Sequence, residues 1–237
     1  MNEQYRFRLD SRWPDCPLYH RGTDIPDIAE CARLARDKNS HRGVGLRSAL
    51  RVLEAHSVNQ AFLEEIGCLG QLTYLALEYP VTAVDLAPLA ALSELSVLKI
   101  DSPRNITDFT PLLALPKLET LFIENARHMA DIEWLRPLAP QLKVLGIEGS
   151  LYTAQSIPSL APLAAFDLDA LFLTGTRLGD QSLAPLQAMQ GLKFLGTALN
   201  APRAEFDALH AALPHLLCDW FRPEMWTNFK DPRPAKT

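Results

Sequence analysis

Ile106-Thr107-Asp108-Phe109-Thr110-Pro111-Leu112-Leu113-Ala114-Leu115-Pro116-Lys117-Leu118-Glu119-Thr120-Leu121-Phe122-Ile123 joins two apolar spacings in one short stretch. Ile106, Phe109, Leu112 and Leu115 step by three around Pro111, which suits a short helical or 3-10 return better than a long α-helix. Leu118, Leu121 and Ile123 then follow a strand spacing, with their side chains on one side of the chain. A unit this small cannot bury its own apolar side, so it requires neighbours of the same kind.

Such neighbours surround it. The pattern Leu-x-x-Leu-x-(Leu/Ile) begins at Leu72, Leu95, Leu118, Leu142 and Leu168, and degenerate copies begin at Leu50, Leu192 and Leu216, the last as Leu216-Asp219-Phe221. Successive starts lie 22, 23, 23, 24, 26, 24 and 24 residues apart, a period that defines a repeat architecture. Returns spaced by three follow each strand motif, at Leu86-Leu89-Leu92, Ile132-Leu135-Leu138, Ile157-Leu160-Leu163 and Leu183-Leu186-Met189, with Pro88, Pro111, Pro137, Pro162 and Pro185 recurring in them. Stacking places a strand of every repeat in one parallel sheet and the returns on its other side.

The stretch quoted above and Val84-Asp85-Leu86-Ala87-Pro88-Leu89-Ala90-Ala91-Leu92 resemble the bacterial leucine-rich repeat of the internalin type, whose return reads I-x-D-(I/L)-x-P-L-x-x-L-x-x-L. The resemblance spans about residues 50–221. It implies an α/β leucine-rich-repeat solenoid, with a curved parallel sheet on the concave side and short helical or 3-10 segments on the convex side. Such repeats serve many unrelated partners, so the resemblance is specific for fold and not for function. One departure stands out. The family's Asn after the strand is mostly replaced, with Pro80, Pro103, Ala126, Ser150 and Thr176 near that place.

Three regions are expected: an N-terminal cap over residues 1–49, about seven repeats plus a terminal strand over 50–221, and a C-terminal tail over 222–237. Solenoid ends need polar-faced caps. Asp24 to Arg36 reads as a capping helix with Asp24 as N-cap, Pro26 early, and Ile25, Ile28, Ala32 and Ala35 on one stripe, preceded by a strand at Tyr5 to Leu9. Trp220, Trp226 and Phe229 are expected to fold back over the last repeat. Gly43-Val44-Gly45, after the basic run Lys38 to Arg42, has too few glycines for a nucleotide loop and reads as a hinge.

Strand alternation turns the repeat into a surface map. Positions 1, 4 and 6 face the core, while 3, 5 and 7, with 8 beside them, face the concave surface. Position 7 carries His56, Glu78, Asp101, Glu124 and Glu148, and four consecutive carboxylates at strand spacing repel by about 1 kcal/mol per pair in water. Tyr74, Tyr79, Phe122, Phe172 and Phe194 map to the same face. The partner-binding expectation is therefore Tyr74, Glu78, Tyr79, Asp101, Phe122, Glu124, Glu148, Phe172 and Phe194, with the aromatics as apolar anchors for a basic protein partner. Two other readings of the column stay open, a solvated acidic face partly neutralised by Lys99 and, less favoured, a divalent cation between Glu124 and Glu148.

Charge agrees with a basic partner. Over 237 residues the net charge is −5, but residues 57–237 hold 13 Lys and Arg against 20 Asp and Glu, a local balance of −7. That balance gives no general affinity for nucleic acid or anionic lipid. No apolar leader and no apolar run of membrane length occurs, so the expected location is the cytoplasm. Cys16, Cys31, Cys68 and Cys218 form no CxxC, and the six histidines form no HExxH, so no metal, cofactor or catalytic residue is assigned. The expectation is an intracellular protein-binding module and not an enzyme. The alternative is an adaptor, or the inhibitor of a toxic enzyme, acting through its convex or terminal surfaces.

Overall fold

The structure, a computed structural model, describes residues 15–150 and 153–227. The chain divides into two compact units, one within residues 12–129 and the other within 130–237. The first contains strands β1 (Leu18–Tyr19), β2 (Cys31–Ala35), β3 (Val52–His56), β4 (Tyr74–Glu78), β5 (Val97–Asp101) and β6 (Thr120–Glu124), all parallel. They pair without slippage, Cys31 opposite Val52, Val52 opposite Tyr74, Tyr74 opposite Val97 and Val97 opposite Thr120. The second contains β7 (Val144–Glu148), β9 (Ala170–Leu173) and β11 (Phe194–Thr197), and a separate parallel pair of β8 (Gln155–Ile157) with β10 (Thr176–Leu178).

The register follows from the leucines. Leu72, Leu75 and Leu77, Leu95, Leu98 and Ile100, and Leu118, Leu121 and Ile123 are all fully buried, each stacked on its counterpart in the next repeat. Burying one such side chain contributes about 1.5–3 kcal/mol, and a one-residue slip would turn the whole row to the opposite face. The returns complete the core: Leu86, Leu89 and Leu92, then Phe109, Leu112 and Leu115, pack behind the strands from 3-10 turns at Ala87–Ala91 and Thr110–Ala114. One return is a true helix, α1 (Gln60–Ile66), where the Asn59 side chain accepts from the Phe62 N–H as N-cap.

The acidic or hydroxyl residue of each return has a structural task. Asp85, Asp108, Asp131, Ser159 and Ser182 each accept a hydrogen bond from the N–H two residues on, fixing the start of the 3-10 turn. Pro88, Pro111, Pro162 and Pro185 follow as second residue of the turn, where a backbone N–H would have no partner and its absence costs nothing. Pro137 differs, lying near the end of Glu133–Leu138 with Trp134 in the usual proline place. Past the strands, backbone bonds join consecutive repeats: Thr82 N–H to Val58 O at 2.7 Å, Arg104 N–H to Val81 O at 2.9 Å, and in the second unit the β8–β10 ladder.

The expected helix over Asp24–Arg36 does not form. Gly22–Asp24 is a 3-10 turn and residues 31–35 are strand β2, so regular repeats begin earlier than the leucines announce. Burial explains the correction: Ile28 is 86% exposed while Ala32 and Leu34 are fully buried, a period of two. Five in-register pairings with β3 outweigh the helical preference of alanine. The expected strand at Tyr5–Leu9, Phe229 and the end of the tail lie outside the described residues. At the other end, Leu216-Asp219-Phe221 is not a strand. It contributes one bridge, Leu217 to Phe194, before a 3-10 turn at Asp219–Phe221. Trp220 donates to Thr197 O at 2.9 Å and Trp226 to Trp220 O at 2.8 Å, and both rings pack on Phe206 of α2 (Arg203–Ala212). Among the described residues no helix is long and apolar enough to cross a membrane.

His41 is buried in the first unit, its ring stacked on Phe62 with centroids 5.3 Å apart. Burial, opposed by Glu65 and assisted by Arg36 and Arg42, holds its pKa below the ordinary 6.5. A depressed histidine contributes stability that is complete above pH 6.5 and is lost as pH falls through the lowered value. Thermal unfolding measured from neutral pH to about pH 5 should therefore fall more steeply for the wild type than for His41→Gln. Parallel curves would remove His41 as a source of acid sensitivity.

Candidate functional site

Glu54 and His56 on β3, Glu78 on β4, Lys99 and Asp101 on β5 and Glu124 on β6 form one half-buried cluster on the outward side of the first unit's sheet. Lys99 is its hinge point. Its Nζ lies 3.1 Å from Glu78 Oε1 and 3.5 Å from Glu124 Oε1, bridging the strands on either side. Burial disfavours the Lys99 ammonium, but the Glu124 and Glu78 carboxylates outweigh it and hold the pKa above the ordinary lysine value. Lys99 is therefore charged throughout the neutral range, and the bridge weakens only as pH rises past 10.5. Glu54 lies 2.5 Å from His56 Nε2, one step along the sheet.

Beside the column, the chain leaves the strands through left-handed residues, Ser57 (φ 59°), Ser102 (φ 54°) and Asn125 (φ 52°). Ser102 Oγ donates to Asp101 Oδ1 at 2.8 Å, and the Asn125 amide reaches the same carboxylate at 3.5 Å. These donors fix Asp101 in place beside Glu124, its in-register neighbour. Glu78 and Glu124 flank the one ammonium of the described cluster, with Asp101 and Glu54 in the same sheet beside them.

The aromatic anchors are placed differently from the map. Tyr79 is 55% exposed, with Arg104 over its ring at 5.1 Å and bonded to its hydroxyl at 2.6 Å. Tyr74 is half-buried. Phe122, Phe172 and Phe194 are buried, and Glu148 is also buried within its own unit. The reason in the second unit is geometric: Phe172 and Phe194 pack on each other at 5.2 Å, and both rings approach the space that a Cβ would need at Gly196. Glycine at position 5 lets the rings lie across the sheet instead of standing out from it. Glu54 and Arg104 were absent from the expected set. Glu54 sits at position 5 of a degenerate repeat, where alternation alone would have placed it on this face.

Burial, then the neighbouring Cys31, pushes the Cys16 thiol up to about 12, and burial pushes Cys218 up to about 12, which keeps both protonated at neutral pH.

No protein-family model and no curated protein matches the sequence. Solved structures do. An internalin of Listeria monocytogenes matches at 22% identity with a TM-score of 0.58, covering 78% of this chain and 52% of its own. A leucine-rich-repeat protein of Leptospira interrogans matches at 18% identity with a TM-score of 0.55, covering 81% and 54%. The chain thus spans about half the length of each. Together with the parallel strands and 3-10 returns, these likenesses show the leucine-rich-repeat fold.

Proposed function

We propose that this leucine-rich-repeat solenoid is a protein-binding module, not an enzyme, and that its docking surface is the acidic concave side of the first unit, built on Glu54, Glu78, Asp101 and Glu124 with Tyr79 at its edge. The observation that carries the reading is the row of half-buried carboxylates on adjacent strands, Glu78 and Glu124 held 3.1 and 3.5 Å from the Lys99 ammonium with Asp101 between them. Like charges in adjacent strands cost about 1 kcal/mol per pair before screening, and a basic partner removes that cost. Lys99 keeps the cluster from splaying and presents Glu78 and Glu124 in fixed positions. The partner is therefore a protein offering Lys or Arg side chains at strand spacing. Phe122 is buried beneath this surface, and Phe172, Phe194 and Glu148 are buried in the second unit, so none of the four is offered as a contact residue.

The test is capture of partners from host extract by wild type and by Glu78→Lys/Glu124→Lys, quantified by mass spectrometry at low and high salt. The reading predicts one or a few basic proteins retained by wild type, weakened at least about tenfold by the double reversal and by salt. The same proteins captured equally by the variant would remove the acidic surface and favour the convex or terminal faces.

A further inference from the structure

The first unit contains a second polar feature, of opposite sign, away from the acidic cluster. A cleft of about 620 Å³ opens between the loop holding His20 and Arg21 and the loop running from Asp37 to Arg42. Arg21, Lys38 and Arg42 line it, and among the described residues none of the three has an ion-pair partner. Among the described residues Asp37 is the single carboxylate in the lining. Three cations against one carboxylate make the lining locally positive in a chain whose net charge is −5.

The backbone of the rim is fixed, while the side chains of Arg21, Lys38 and Arg42 are exposed. Gly22 donates to Ser40 O at 2.7 Å, and a Cβ at Gly22 would meet His41 O at 2.6 Å, so the two loops lie back to back in a contact open only to glycine. Lys38 adopts the left-handed region at φ 51°, which a long side chain rarely does. Arg36 secures it, donating from Nε to Ser57 O at 2.6 Å and from Nη1 to Lys38 O at 3.0 Å. A guanidinium thus holds the backbone of a strained lysine at the mouth of the cleft. Strain of this kind is kept where the surrounding structure imposes it, and it commonly marks a working position.

We propose that this cleft binds a small molecule carrying two or more phosphoryl groups. Guanidiniums at Arg21 and Arg42 suit phosphoryl oxygens, which they meet with paired N–H donors, and Lys38 adds a mobile point charge. Ser40 and Asn39 supply neutral donors in the same lining. The volume falls in the range of small-ligand sites.

The test is calorimetric titration of the full chain with inorganic pyrophosphate, for wild type, Arg21→Ala/Arg42→Ala and Lys38→Gly, alongside thermal unfolding of each. The proposal predicts saturable binding at one site per chain, weakened at least about tenfold in the double variant and progressively by sodium chloride. Lys38→Gly should raise the unfolding temperature by relieving the left-handed strain yet bind more weakly, a split that a purely structural lysine would not give. The absence of saturable binding at millimolar pyrophosphate would overturn the proposal. So would equal binding by the properly folded double variant.

Discussion

Leu98→Ala is expected to cost about 2–5 kcal/mol of unfolding free energy, the range of buried leucine truncations that leave a cavity. Leu98 is fully buried at the central position of β5, in register with Leu75 on one side and Leu121 on the other. Neither neighbour can move into the space without breaking a ladder that pairs residue for residue. Because each repeat rests only on its neighbours, the loss should be felt first in β4 and β6, as faster amide exchange there. Chemical denaturation of Leu98→Ala against Lys99→Ala, one residue along and facing outward, checks this. Equal losses for the two would contradict the inward row.

Gly149→Ala is the second large expected effect. A Cβ at Gly149 would sit 2.3 Å from Gly175 O, 2.7 Å from Gln155 N and 2.8 Å from Thr153 O, all backbone atoms that cannot rotate away. Gly149 and Gly175, the latter at φ 68°, are the strand exits of consecutive repeats, and their close approach feeds the β8–β10 pair. Overpacking against backbone should cost about 3 kcal/mol, with Gly175→Ala also destabilised by its left-handed conformation. Gly70→Ala is the control, since its Cβ would meet nothing within 4 Å. A Gly149→Ala unfolding curve matching that control would mean that the repeats are spaced more widely at this exit.

The leucine period carried most of the fold, since spacing by two dozen residues and inward positions 1, 4 and 6 are properties of the chain alone. It failed where apolar residues are small. β2 rests on Ala32 and Leu34, and alanine with an early proline reads equally as helix until a neighbouring strand supplies the ladder. The acidic column was legible because alternation needs no partner. The burial of Phe122, Phe172 and Phe194 was not, because alternation says which face a residue takes and not how far it is covered; at Phe172 and Phe194 the rings lie down over Gly196. Lys99 shows the same limit: its bridging of Glu78 and Glu124 requires the register, which only the paired strands fix.

Carbodiimide labelling of carboxylates, read by mass spectrometry with and without a captured partner, tests the docking surface most directly. Protection of Glu54, Glu78, Asp101 and Glu124, with Asp85 and Asp108 at the returns reacting as before, is the expected pattern. Protection of Asp85 and Asp108 with the strand carboxylates unchanged would contradict it and move the partner to the convex side.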